Sequence, residues 1–340
     1  MSAKVFVIIV TYNGSGWVTP CFSSLRKSTV PLHTIGIDNG SKDDTLARIV
    51  AEYPEVETVN TGQNLGFGKA NNIGMELAYQ RGADYVFLLN QDAWIDPDAV
   101  EKLVDACRRH PDHGVISPMH LNGAGDGLDY GFSNYIGPRN CRGLYSDIFL
   151  GRVKDVYDVG FVNAAAWMMT RECLERVGGF SPSFFHYGED DNYTERLKFH
   201  KLKLGVLPAA RIYHDREQRP PSKFFESGET FRREVIARSS NPNTHFSFGH
   251  EWVSVFAHLG YALARLNTQD VKLQLTKLRV LAAIDKVTIA ANRERSKTGR
   301  GAFLNLEAGG ATQPPRTASV SMTSTSPDEG CADGHATLKT

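Results

Sequence analysis

Val5-Phe-Val-Ile-Ile-Val10 running straight into Thr11-Tyr-Asn-Gly14, and Thr34-Ile-Gly-Ile-Asp38 running into Asn39-Gly-Ser41, decide how this chain folds. Each is a short apolar run rich in β-branched residues, without polar alternation, that stops on a polar turn. That is the pattern of a strand buried on both faces. Tyr85–Leu89 repeats it and stops on Asn90-Gln91-Asp92, while Glu57–Asn60 is a weaker strand. Helical stretches lie between. Ser41-Lys-Asp-Asp44 has capping-box spacing and opens a helix expected to reach about Tyr53; residues 67–81 read as a second helix, and Asp96-Pro97 starts a third through Arg109. Strand and helix in alternation predict parallel β-α-β units, hence an α/β fold with a mostly parallel sheet flanked by helices.

Outward from this core the pattern changes. Residues 114–157 are dense in Gly, Asn and Asp and read as an irregular insertion around short strands. Order returns with Ala166–Thr170 and residues 203–208 as strands, and residues 171–177 and 190–200 as helices. The α/β domain is expected to span residues 1–218, ending just before Pro220-Pro221. Residues 219–308 read as helical: Trp252, Val255, Phe256, Leu259, Leu263 and Leu266 form one amphipathic stripe, and Leu273, Val280, Ile284 and Val287 a weaker one. Residues 309–340 collapse to Gly, Pro, Ser and Thr, the composition of a disordered tail.

Among 340 residues, 38 basic side chains balance 38 acidic ones, which argues against a nucleic-acid partner, whose phosphates demand excess Lys and Arg. The balance hides a gradient: residues 1–210 carry 25 acidic and 20 basic side chains, residues 211–307 carry 10 and 16. The five cysteines are scattered, with no C-x-x-C pair, so neither a zinc cage nor a disulfide framework is expected, and a reducing cytoplasm fits best. Residues 5–10 are too short for a signal peptide and residues 252–264 too short to cross a bilayer. The basic helical segment has three readings: docking on the α/β domain, a homodimer interface, or peripheral contact with an anionic membrane face.

In an open parallel sheet, ligands bind outside the carboxyl ends of the strands. Thr11-Tyr12-Asn13, Asp38 and Asn90-Gln91-Asp92 all fall there. One such cluster alone is an ordinary turn; three on one edge make a shared site. Asp92, just past a buried strand, offers a hard oxygen ligand to Mg²⁺ or Mn²⁺. No Walker lysine and no G-x-G-x-x-G follow the first strand, so a metal-bridged diphosphate is more natural than a glycine cradle. Glu189, Asp190 and Asp191 open a helix, whose dipole tolerates negative charge. Their mutual repulsion nonetheless costs stability unless something uses them, and a carboxylate there is suited to take a proton from a hydroxyl. His214, after the last strand, is either a packing side chain or a metal ligand.

These residues resemble a known family. Val7-Ile-Ile-Val-Thr-Tyr-Asn13, Ile37-Asp-Asn-Gly-Ser-Lys-Asp43, Asn64-Leu-Gly-Phe-Gly-Lys-Ala-Asn-Asn72, Leu88-Leu-Asn-Gln-Asp92, and Gly178-Gly-Phe180 with Glu189-Asp190 are similar, in order, to the motifs of the family 2 inverting glycosyltransferases, closest to the bacterial rhamnosyltransferase-like branch. The resemblance covers about residues 4–215 and implies a GT-A fold. It also implies a nucleotide-sugar donor, dTDP-rhamnose first and UDP-sugars behind it, and a glycan or lipid-linked acceptor. Thr11, Tyr12, Asn13, Asp38, Asn64, Gly66, Lys69, Asn90 and Gln91 would then line the donor pocket. Asp92 and His214 would hold Mg²⁺ or Mn²⁺, and Asp190 would be the general base. Two departures stand out. The D-x-D motif reads Asn90-Gln91-Asp92, and Glu-Asp-x-Asp reads Glu189-Asp190-Asp191-Asn192, which leaves Asp191 competing for the base role. A nucleotidyltransferase is disfavoured by the lack of basic residues in Thr11-Tyr-Asn-Gly-Ser-Gly16; a degenerate glycan-binding relative is the non-enzymatic alternative.

Overall fold

A computed structural model of the chain describes residues 3–216 and 227–307. Among the described residues nine strands form one sheet: β1 (Val5–Thr11), β2 (Leu32–Asp38), β3 (Glu57–Asn60), β4 (Tyr85–Leu89), β5 (Ala93–Ile95), β6 (His113–Asn122), β7 (Tyr157–Asp158), β8 (Ala166–Thr170) and β9 (Lys203–His214). Their order is β3-β2-β1-β4-β8-β6-β9-β5, with β7 pairing β9. The half containing β3, β2, β1 and β4 is parallel. Beyond it β8 runs antiparallel to both β4 and β6, and β5 antiparallel to β9, so the sheet is mixed.

Because β1 is covered on both faces, alternate residues feed two cores. Phe6 and Ile8 point to the layer holding Trp167, Phe180 and Tyr193; Val5, Val7 and Ile9 point to the layer holding Phe22, Ile49 and Leu103. The first layer includes α3 (Phe67–Gln80), α7 (Arg171–Arg176) and α8 (Glu189–Phe199); the second includes α1 (Val18–Arg26), α2 (Thr45–Glu52) and α4 (Ala99–Arg109). Two short helices, α5 (Tyr130–Tyr135) and α6 (Leu144–Phe149), follow β6.

The C-terminal part comprises α9 (Ser227–Ser240), α10 (Phe248–Ala264), α11 (Thr268–Ala283) and α12 (Lys286–Lys297). Phe231, Val235, Ile236, Val255, Leu281, Ile284 and Ile289 form a third cluster that takes in Phe184 from the loop before α8. After α12 the chain returns to the α/β layers. Gly179 N–H donates to Ala302 O (2.8 Å), Gly301 N–H to Glu175 O (2.9 Å), and Leu304 enters the first core. The stripe on α10 is only partly used: Val255 is buried, while Phe256, Leu263 and Leu266 stay exposed. The weaker stripe is interrupted, since α11 ends before Ile284 and Val287 is exposed on α12. The boundary expected at residue 218 and the tail 309–340 lie outside the described residues.

Several sequence expectations are corrected. Residues 114–157, expected to be an irregular insertion around short strands, hold all but the first residue of the long strand β6 and two short helices. The strand expected at 203–208 continues to His214. Pro118 and Pro208 both fall at one register shift between β6 and β9, where Pro118 pairs Leu207 and Met119 pairs Arg211. A proline is tolerated in a sheet at such a bulge, so neither strand stops there. The capping box does not form. Ser41 Oγ accepts Asn13 N–H instead, and α2 begins at Thr45, whose N–H donates to Asp43 Oδ1. The third helix starts at Ala99, because Asp96 is engaged by Arg211 and Tyr213 of β9.

Candidate active site at the carboxyl edge of the sheet

Three groups of predicted residues gather on this edge. The first lies at the ends of β1 and β2, where parallel register sets Thr11 beside Asp38. Both are buried; Thr11 Oγ1 donates to Asp38 Oδ1 (3.3 Å), and Ser41 N–H donates to Asp38 Oδ2 (3.2 Å). Tyr12 is half-exposed, and its backbone is clasped at both polar groups by the Gln91 amide, at 2.9 and 3.1 Å. Asn13 has positive φ, a conformation Asn adopts more readily than most residues, and its Oδ1 accepts Lys42 N–H. Thus Gln91, expected to face the donor, spends both ends of its amide on the loop after β1.

The Asn64–Lys69 stretch is tied to this edge through Asn39, which donates to Asn64 Oδ1 and accepts Leu65 N–H. Gly66 takes φ +84, and a Cβ there would lie 2.1 Å from Phe185 O; one on Gly68 would lie 2.9 Å from Phe180 Cβ. The close approaches these glycines permit are therefore to the 180–185 loop. Lys69 is exposed. Asn90 N–H donates to Ala165 O, which seats the turn between β4 and β5.

The second group is a buried chain of charge. Asp92 follows β4, and Ala93 pairs with His214 in antiparallel register, so the end of β9 meets the start of β5. His214 Nε2 lies 3.5 Å from Asp92 Oδ1, and its Nδ1 lies 3.4 Å from Asp129 Oδ2, with all three side chains buried. Asp129 caps α5 by accepting Phe132 N–H at 2.7 Å and is gripped by Arg216, whose Nε is 2.6 Å away. Burial works against the Asp129 carboxylate, but His214, Arg216 and the Phe132 amide outweigh it and hold it well below the usual carboxylate range. Burial pushes His214 the other way, toward the neutral imidazole that binds metals. His120 stacks on Phe132 and meets His214 edge-on at 6.1 Å. Asp129, Arg216 and His120 escaped the sequence reading; the one available signal was Asp129 as a helix cap.

The third group is the first turn of α8. Gly188, at φ +95, turns the chain so that Glu189, Asp190 and Asp191 start the helix. Glu189 is buried and its Oε2 has no hydrogen-bond partner; Asp190 is half-buried, and Asp191 is exposed. Burial first, then the neighbouring carboxylates, raises both Glu189 and Asp190 above their ordinary values, Glu189 further. Asp190 Oδ1 accepts Asp191 N–H at 2.9 Å, which favours its charged form. The two adjacent carboxyls are thus unequal, with Glu189 favouring its protonated form more than Asp190 does. The Tyr135 hydroxyl of α5, raised chiefly by burial, lies in the field of Asp190, Asp191, Asp129 and Arg216, which joins the second and third groups.

The family described as "Glycosyl transferase family 2" matches residues 6–178, half of the chain, which takes in the first group together with Asp92 and Asp129. This chain belongs to glycosyl transferase family 2. As a family 2 glycosyltransferase it is 28% identical over 231 residues to the N-acetylglucosaminyl-diphospho-decaprenol L-rhamnosyltransferase of Mycobacterium tuberculosis, covering 61% of this chain and 75% of that protein. To the dTDP-rhamnosyl transferase RfbF of Shigella flexneri it is 22% identical, covering 63% and 70%. It thus falls in the rhamnosyltransferase-like branch. Its GT-A-like fold is shared with S. aureus TarS 1–349 in complex with UDP-GlcNAc, at TM-score 0.54 and 17% identity, covering 86% of this chain and 83% of that one; a longer TarS chain is covered over 41% of its length.

Proposed function

We propose that this glycosyltransferase moves rhamnose from dTDP-rhamnose to a hydroxyl of a glycan or lipid-linked acceptor, inverting the anomeric carbon. The observation that carries this reading is the meeting on one sheet edge of Asp38, the Asp92–His214 pair and the raised carboxyl of Asp190. The choice of sugar is supported by the two rhamnosyltransferase relatives. The base would sit against Asp38 and the Thr11–Asn13 loop. Asn64, Gly66, Lys69, Asn90 and Gln91 shape the same pocket, several of them by fixing its loops.

The residues present fit a divalent metal. Asp92 and His214 bring a carboxylate and an imidazole close together, a donor set suited to Mg²⁺ or Mn²⁺. Among the described residues no group of three His, Cys, Asp or Glu side chains converges on one point. Asp92 and His214 are therefore the side chains that would hold the ion. When bound, the ion would offset the negative charge of the departing diphosphate. Asp190 takes the proton of the acceptor hydroxyl as its oxygen bonds to the anomeric carbon; the bond to the diphosphate breaks and its electron pair leaves with that group. Asp191, one residue on and exposed, supplies negative potential. Among the described residues no helix is long and apolar enough to cross a membrane. We place the reaction in the cytoplasm, at the inner membrane face if the acceptor is lipid-linked.

A thermal-shift panel of dTDP, UDP, GDP and CDP, with and without Mg²⁺ or Mn²⁺, tests the donor. Metal-dependent stabilisation greatest with dTDP, and lost in Asp92→Ala, is expected. A response greatest with UDP supports the second reading, a UDP-sugar donor, which the fold shared with UDP-GlcNAc-bound TarS favours. No response to any nucleotide would sink both.

A further inference from the structure

Residues 137–154 form a projection with two unlike sides. On the inner side Cys141 and Leu144 join the core, and Asp147 accepts the Tyr157 hydroxyl at 2.9 Å. Leu144 and Asp147 are three apart on α6, so they fix the helix's rotation and turn its other side to solvent. That side carries Tyr145, Ile148 and Phe149, followed by Leu150, exposed by 46, 53, 89 and 56%. Exposed apolar side chains in such a group mark an interaction surface.

The charges around this tip are one-sided. Arg139, Arg142, Arg152 and Lys154 are exposed, and the sole carboxylate between residues 137 and 154 is Asp147, buried and already engaged by Tyr157 and Arg152. An apolar tip rimmed by cations matches the boundary of an anionic bilayer, with the aromatic and aliphatic side chains entering the acyl region while the cations meet headgroups. A self-complementary contact between two copies would bring like charges together. The projection is also anchored to the site: α5, which leads into it, starts on Asp129, and its Tyr135 lies in the field of Asp190.

We propose that the α6 tip docks this enzyme on anionic membrane surfaces, beside the acceptor side of its catalytic edge. The inference deepens the lipid-linked acceptor reading but rests on its own residues.

The test is co-sedimentation of the full chain with vesicles of phosphatidylcholine alone or containing phosphatidylglycerol. Three proteins are compared: wild type, the triple variant Ile148→Ser/Phe149→Ser/Leu150→Ser, and Phe256→Ser/Leu263→Ser on the exposed face of α10. Wild type should bind only the anionic vesicles and release in high salt. The tip variant should bind at least about tenfold more weakly, with circular dichroism and nucleotide-dependent thermal shift unchanged. The α10 variant should bind as wild type. Failure of wild type to bind, equal binding by the tip variant, or loss in the α10 variant alone would overturn the proposal. So would wild type dimerising by light scattering while the tip variant stays monomeric. The nucleotide shift reports separately on the donor reading, so each can fail without the other.

Discussion

At the scale of single residues, Asp190 and its neighbour make opposite demands. As the proposed base, Asp190 must be ionised to accept a proton, yet burial and the adjacent negative charge raise its pKa. Activity should therefore climb with pH through a midpoint above the ordinary carboxylate range. Asp191→Asn removes a like charge, so the midpoint of kcat/KM against pH should move down, with turnover at the plateau retained. Asp190→Asn should cost about 10²–10⁴ in kcat while leaving donor binding intact; near-wild-type transfer in that variant would sink the assignment. Asp129 acts one step back, holding the His214 ring from the side opposite Asp92. Asp129→Asn should weaken Mn²⁺ binding to the dTDP-loaded protein by about 10–100-fold, read by calorimetry. In a His214→Ala background the same substitution should add nothing, whereas a purely structural role would lower affinity in both.

Among the elements, legibility followed how self-contained each one is. β1, β4 and β8 could be read because their apolar runs are uninterrupted and bounded by turns or caps. β6 and the second half of β9 could not, because each carries a proline that only the other strand's bulge accommodates. Likewise Ser41 and Asp44 have the spacing of a capping box locally, but the loop after β1 claims Ser41. The site divides the same way. Thr11, Asp38 and Asp92 follow legible strands, whereas Asp129 sits in a Gly- and Asp-rich stretch whose relation to His214 exists only across the sheet. The loop facing α8 offers a test at this scale. Gly62 and Gly66 both have positive φ, but a Cβ on Gly62 meets nothing within 4 Å while one on Gly66 strikes Phe185 O. Alanine at either position should destabilise, by about 1 kcal/mol or more, and denaturant titration should show Gly66→Ala the worse of the two. Equal losses would mean that backbone strain alone matters.

For the whole molecule, the segment after α12 completes the first core layer. Leu304 fills the first core, and Asn72 binds the loop at Phe180 through both ends of its amide while reaching Phe303 O. Arg196, fully buried with no carboxylate paired to it among the described residues, donates to the carbonyls of Val177 and Gly179 and stacks its guanidinium 4.8 Å from the Phe303 ring; burial pulls its pKa down to about 10. A chain cut after Arg216 loses the cover of both. It should melt at a markedly lower temperature and bind a hydrophobic dye, despite retaining every strand. A fragment as stable as the full chain would show that the segment is an appendage.

The return of residues 301–304 to the groove at Gly178 also sets an order of events in the cell. Domains generally fold as the N-terminal part leaves the ribosome, at about 5–20 residues per second. Here the helix bearing Asp190 leaves roughly a hundred residues before the strand of chain that locks it, an interval of several seconds. A nascent chain can thus assemble its parallel strands early, while the layer carrying α8 closes only after residues 301–304 have emerged.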